Sequence, residues 1–320
     1  MIQRLIAAIG LAICMAAAHG AGAYPDRPIR LIVPYTPGGN TDLLGRMIAQ
    51  RLGESTGQTV VVENRPGAAG TIGVDAVAKS KPDGYTMVLA SFGNILTAAA
   101  WYKTLPYDPV ADLAPIALLA TPQTVLVANP RLPFNDVKGL IAYAKANPGK
   151  LNYGSSGSGS SNHLFGALFA SMAHIDMTHV PYKGSGPAIN DVMAGTIQLS
   201  FAPFPLVIGQ IATGRLKALA VTGATRHPLL PHTPTVAEAG VPGYEALGWF
   251  ALMVPAGTPK PLIDRLNVEV NRILKLPEVK ASLAQEGAEP VGGTPEAAQR
   301  SIIEGVKKWG GLVKKLGITP

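Results

Sequence analysis

Cysteine is almost missing from this chain: the single one, Cys14, stands inside the first apolar run. That run follows a short basic start, Met1-Ile2-Gln3-Arg4. It extends from Leu5 to Ala18 and gives way to Ala21-Gly22-Ala23. A basic start, an apolar centre and an A-x-A site predict a secretory leader over 1–23, cleaved after Ala23. Ile13 is bulky where a lipoprotein box needs a small residue, so Cys14 is expected to leave with the leader. The mature chain then has no thiol, which excludes disulfides and thiol chemistry.

Long apolar runs are missing as well. The leader's apolar centre is too short for a comfortable membrane span. One long uncharged stretch, residues 192–214, is interrupted by Gly195, Gln198, Pro203, Pro205 and Gln210 and reads as strand, turn and helix. Basic runs are also scarce. The net charge is +7, falling to +6 once Arg4 leaves with the leader, yet only pairs such as Lys307-Lys308 and Lys314-Lys315 cluster. No basic run interleaves with aromatics, so nucleic acid is not an expected partner. A mildly basic surface suits the approach of an anion.

Enzyme motifs are absent. The chain has no G-x-S-x-G elbow, no G-x-x-x-x-G-K-[ST] loop and no H-E-x-x-H. Gly157-Ser158-Gly159 lacks the third glycine of a dinucleotide fingerprint. The pairs His174/His179 and His227/His232 do not match zinc spacing. No cofactor and no metal are expected. His163 beside Ser160 keeps one alternative open, a secreted hydrolase using that pair, although the sequence supplies neither an orienting group nor an oxyanion hole.

What the sequence does have is two glycine-rich turns of one kind. Tyr35, Thr36, Pro37, Gly38, Gly39, Asn40 and Thr41 follow an apolar strand at 30–33. They precede an amphipathic helix carrying Leu43, Leu44, Met47, Ile48 and Leu52 on one face. Ser155, Ser156, Gly157, Ser158, Gly159, Ser160 and Ser161 follow a short strand at 151–153. They precede a helix with Leu164, Phe165, Leu168, Phe169 and Met172. Read singly, the first is a tight βα turn and the second a flexible linker. Together they suggest two helix starts facing one ligand, because helix N-termini offer unpaired amides and partial positive charge. Ser91 and Asn94, after a third strand, are candidate cleft residues. Lys183 is a candidate partner for a ligand carboxylate.

Alternating signals predict strands over 30–33, 59–63, 86–90, 115–119, 124–128, 151–153, 177–181, 197–201, 216–222 and 248–254. Helices follow the first two strands, and others are predicted over 137–146, 162–173, 188–194, 206–212, 260–274, 278–286 and 295–316. This pattern argues for α/β sheets with helices on both faces. Two apolar strands ending at proline, over 124–130 and 249–255, read as crossings between domains. Residues 24–125 with 246–320 then form one domain and 126–245 the other. Ligands in such sheets bind beyond the strands' carboxyl ends, where both turns lie.

Several motifs, in order and spacing, resemble the Bug-type solute receptors of tripartite tricarboxylate transporters. They are Tyr24-Pro25-Asp26-Arg27-Pro28 with Pro37-Gly38-Gly39, Glu63-Asn64-Arg65-Pro66-Gly67-Ala68-Ala69-Gly70 and Lys81-Pro82-Asp83-Gly84-Tyr85. Tyr153-Gly154-Ser155-Ser156-Gly157, Val180-Pro181-Tyr182-Lys183-Gly184 and Leu219-Ala220-Val221-Thr222 complete the set. The resemblance implies a two-domain fold like that of type II periplasmic binding proteins. Each domain would be a mainly parallel sheet flanked by helices, with the ligand in the interdomain cleft. It implies a monomeric periplasmic receptor that captures a small organic anion, often a carboxylate, and delivers it to membrane transporter subunits. The 35–41 loop would reach a carboxylate partly through water, and the 155–161 loop would supply amide and hydroxyl donors. Relatives often carry an acidic or amide residue after the phenylalanine matching Phe201; here Ala202 stands there, so no amino-group contact is expected. Asn40 fills a position that is often smaller.

Overall fold

The computed structural model describes residues 24–38, 40–101 and 105–316. The expected leader with Cys14, and Gly39 of the first turn, lie outside the described residues.

Eleven strands form two sheets among the described residues. The first sheet has the order β11-β4-β10-β3-β1-β2. Its strands are β1 (Ile29–Val33), β2 (Val60–Asn64), β3 (Thr86–Ser91), β4 (Leu113–Pro122), β10 (Phe250–Pro255) and β11 (Ala288–Gly292). β1 pairs parallel with β2 and β3, whereas β10 lies antiparallel between β3 and β4, and β11 is antiparallel to β4. The second sheet has the order β7-β6-β8-β5-β9. It contains β5 (Thr124–Ala128), β6 (Asn152–Ser155), β7 (Thr178–Pro181), β8 (Leu199–Pro203) and β9 (Lys217–Val221). β6 pairs parallel with β7 and β8, and β5 is antiparallel to both β8 and β9. The mainly parallel sheets of the sequence reading are thus realised as mixed ones. The strands next to the crossings, β5 and β10, run against most of their neighbours.

Side-chain alternation decides which helices cover which face. In β1, Ile29, Leu31 and Val33 pack on one side with Leu44, Ile48 and Leu52 of α1 (Asn40–Thr56) and Leu266, Val270 and Ile273 of α8 (Lys260–Ile273). Gly45 lets α1 lie against the sheet, since a Cβ there would stand 2.7 Å from Val33 Cγ2. On the other side Ile32 joins Val74 and Val77 of α2 (Thr71–Ala78) and Ile302 and Trp309 of α10 (Pro295–Leu316). The second sheet is covered by α4 (Val137–Ala146) and α5 (Ser161–Ala173) on one face. α6 (Ser185–Ala194) and α7 (Phe204–Ala212) cover the other. A short α3 (Ala98–Trp101) follows β3, and α9 (Pro277–Gln285) precedes β11.

One apolar cluster spans both sheets. Its centre is an aromatic trio: Phe92 after β3, Phe165 on α5 and Trp309 on α10, with ring centroids 5.0–5.7 Å apart. The chain crosses between sheets twice, side by side. Gln123 alone separates β4 from β5, and the return runs through residues 246–249. There Gly248 N–H donates to Pro122 O, and Ala246 N–H donates to Thr222 O. No helix among the described residues is long and apolar enough to cross a membrane.

Candidate functional site

The turn after β1 is held from below. Tyr35 Oη shares a 2.7 Å hydrogen bond with Ser91 Oγ, and burial raises the phenol's pKa, so it stays protonated. Asn94 is fully buried and accepts the Ser91 N–H at 2.9 Å. Ser91 and Asn94 thus lie beneath Tyr35, and Asn94 Nδ2 is buried without a partner. The Tyr35 carbonyl accepts from Asn64 Nδ2 at 3.0 Å. Asn64 also donates to Asp42, whose other oxygen accepts from Gly38 N–H and Arg46 Nε, each at 3.0 Å. The Arg46 guanidinium, helped by the Gly38 and Asn64 donors, holds the Asp42 carboxyl down to about 2. Gly38, at φ +87°, occupies the left-handed region that favours glycine. The sequence reading does not single out Asp42, although an acid in a first helical turn is a familiar capping signal. It has a consequence: the start of α1 already carries a carboxylate, and the Gly38 amide is spent on it.

The turn after β6 is denser in hydrogen bonds. Ser160 is the N-cap of α5. Its Oγ accepts from His163 N–H and donates to Gly157 O at 2.7 Å. Ser155 is buried; its Oγ accepts from Gly157 N–H and pairs with His179 Nε2 at 2.7 Å. Ser156 Oγ donates to Asn162 Oδ1, and Gly159 N–H donates to His163 Nδ1 at 3.0 Å. Beneath the loop the His163 and His179 rings stack, 3.6 Å apart and nearly parallel. Burial pushes both imidazoles down to about 4, with His179 adding to the effect on His163. Both rings are therefore neutral at pH 7.

This geometry does not make Ser160 and His163 a nucleophile and base. The one Ser160 hydroxyl proton points to a carbonyl. His163 Nδ1 accepts a backbone amide, so the neutral ring carries its proton on Nε2. Neither nitrogen is left to take the serine's proton.

The two turns meet across one cavity of about 380 Å³. Tyr35 and Thr41 line it from the first loop; Ser156, Ser158, Gly159, Ser160 and Ser161 line it from the second. Ala69, Gly93, Ala98 and Phe250 complete the wall. The sequence reading misses these four. Ala69 belongs to the 63–70 motif, and its φ of +55°, unusual for alanine, marks that tight turn. Among the described residues, the wall contains no charged side chain. Its polar groups are hydroxyls and backbone amides, which suit an anion held by neutral donors.

The remaining candidates lie off this wall. Thr36, Pro37 and Gly38 are exposed on the rim side of the first loop, and the Asn40 side chain is outside the described residues. Gly157 contributes carbonyl and amide to the loop's internal bonding. Lys183 is exposed beyond β7 and is not brought to the cavity. Ala202 is fully buried in the core with Val125, Val207 and Val221. Among the described residues, no group of three or more His, Cys, Asp or Glu is placed to hold a metal.

Comparison with known proteins fits this arrangement. The profile of the tripartite tricarboxylate transporter family receptor matches residues 44–318. Protein BugT of Bordetella pertussis is 40% identical over 320 residues, covering 99% of this chain and 98% of that protein. An R. palustris protein solved with adipate is 40% identical, with a TM-score of 0.81 over 93% of this chain and 99% of that one. MatC of Rhodopseudomonas palustris, solved with bound malate, is 30% identical with a TM-score of 0.77, over 91% and 100% of the two chains.

Proposed function

The chain belongs to the tripartite tricarboxylate transporter receptor family and is a solute-binding receptor; from that premise we propose that its ligand is a small carboxylate held by neutral donors in the cavity between the two sheets. The observation that carries this reading is a cavity walled by both glycine-rich loops, one from each sheet. Tyr35, Thr41, Ser156, Ser158, Gly159, Ser160 and Ser161 are the residues assigned to the ligand. The hydroxyls of Thr41, Ser158 and Ser161 are uncharged donors not engaged within the loops, and each hydrogen bond to a charged acceptor is worth about 1.5–3 kcal/mol. Ser156, Gly159 and Ser160, whose protons are held inside the loop, shape the wall. Asp42 faces inward to Arg46 and Asn64 and is neutralised there, so it does not oppose an incoming anion strongly.

The same reading gives the chain's place in the cell. Residues 1–23 are removed as a leader, and the mature receptor works in the periplasm as a monomer. It hands its ligand to the membrane subunits of a tripartite tricarboxylate-type transporter. The units 24–125 with 246–320 and 126–245 move as two bodies about the paired crossings.

Mass spectrometry of the small molecules released on denaturing freshly purified protein tests the ligand class. A carboxylate at near-stoichiometric yield is expected, and calorimetry with that compound should give one site without turnover. Release of only neutral or cationic compounds, or consumption of the compound during titration, would overturn the reading.

A further inference from the structure

A second cavity, of about 160 Å³, lies against the first and shares Ser161 and Phe250 as walls. It is set where the crossings meet. Pro122, Gln123 and Thr124 come from the first crossing and Gly248 from the return, while Leu283, Glu286 and Ala288 close it from α9 and β11. At roughly 30 Å³ per water molecule, it has room for a fragment of a few heavy atoms.

Its walls are mostly apolar, yet two of the residues lining it carry a buried side-chain oxygen with no partner. Gln123 is only 5% exposed and its Oε1 makes no hydrogen bond; the same holds for the buried Oε2 of Glu286. Buried polar atoms left unpaired are uncommon and costly, so a site holding two of them calls for a partner. The Gln123 backbone is fixed by its N–H to Gly287 O at 3.0 Å, and its side chain packs on Gly223. Glu286 sits at the C-cap of α9, beside helix carbonyls that carry partial negative charge. Its place at the helix C-terminus therefore suits a hydrogen-bond donor better than an anion.

We propose that this chamber is a subsite for the far end of the ligand, and that the far end is a hydroxyl: the receptor's substrate class is a small monocarboxylate with a distal hydroxyl, not a dicarboxylate. The inference rests on the carboxylate reading above, with the acid group in the larger cavity. A hydroxyl donates to Glu286 and pairs with the Gln123 amide in either orientation of that amide, because it both donates and accepts. A second carboxylate would instead meet Glu286 in an apolar enclosure, where like charges repel strongly.

Calorimetry on the full mature chain at neutral pH with hexanoate, 6-hydroxyhexanoate and adipate tests this. The hydroxy acid should bind about tenfold more tightly than hexanoate, and adipate should bind at least about tenfold more weakly than the hydroxy acid. In Glu286→Leu the hydroxyl's advantage over hexanoate should shrink to about threefold or less. Circular dichroism verifies the variant's fold, and the parent's three titrations decide the matter if it fails to fold. Adipate binding as tightly as 6-hydroxyhexanoate, or an undiminished hydroxyl advantage in folded Glu286→Leu, overturns the subsite. If none of the three acids binds, the carboxylate reading falls and takes the subsite with it; if hexanoate binds but the hydroxyl adds nothing, the subsite alone falls.

Discussion

His163 and His179 illustrate how a residue that looks catalytic in sequence can be structural in space. Their stacked rings support the second loop through the Gly159 amide and the Ser155 hydroxyl. Both folded-state pKa values lie near 4, against an ordinary 6.5. Between those two values the unfolded chain takes up protons that the folded chain refuses. Stability is therefore complete above about pH 6.5 and falls as the pH drops toward about 4. Urea midpoints at pH 7 and pH 5 should differ clearly in the parent. In His179→Phe, which keeps a ring against His163 but cannot take up a proton, the difference should narrow by about half. An equal midpoint at both pH values in the parent would refute the assignment. Other residue roles are only half legible in the sequence. Ser91 and Asn94 follow a strand, as cleft residues would, but nothing local distinguishes lining a cleft from propping Tyr35 beneath it. Ala202 is placed by analogy of position, and its burial in the core depends on which way β8 presents its faces.

At the scale of elements, the two loops and the helices after them are legible because turn chemistry and 3.6-residue periodicity are local signals. Strand direction is not local. Period-two alternation is the same in either direction, so the antiparallel placement of β5 and β10 emerges only from the crossings. β11 escapes notice because Ala288-Glu289-Pro290-Val291-Gly292 carries a proline and a glycine, which an edge strand tolerates. The start of α5 is legible as a serine-rich helix entry, and it offers a way to separate folding from recognition. Ser160 caps α5 and also lines the large cavity. Ser160→Ala removes both roles and should cost about 1 kcal/mol of stability, whereas Ser160→Gly should cost only a few tenths, since glycine is tolerated at an N-cap. If the Ser160 hydroxyl turns its proton from Gly157 O to the ligand on binding, as its place in the cavity wall proposes, both variants lose that contact. Chemical denaturation should therefore rank the parent and the Ser160→Gly variant close together, with Ser160→Ala below both. Calorimetry with the released ligand should find the two variants weakened alike. Recovery of affinity in Ser160→Gly would mean that the side chain serves the helix and not the ligand.

For the whole molecule, each sheet contributes one loop to the cavity, so the site is complete only when the two halves are correctly apposed. The halves are joined by two adjacent strand crossings and by the aromatic trio Phe92, Phe165 and Trp309 at the base of the cleft. Such a joint permits rotation about the crossings while keeping the apolar base packed, the geometry of hinge closure. A ligand touching both loops binds the apposed state better than the splayed one and shifts the population toward it. Small-angle scattering of the mature chain should accordingly give a smaller radius of gyration with saturating ligand than without. The same preference raises stability: a ligand at about a hundred times its Kd adds about 2.7 kcal/mol if it binds only the folded chain. The melting temperature should rise with ligand concentration in step with that relation. A melting temperature that rises while the radius of gyration stays constant would mean that ligand enters a site already formed. Closure would then have no part in recognition, and the two loops would be preorganised by their own hydrogen bonds and by the stacked histidines.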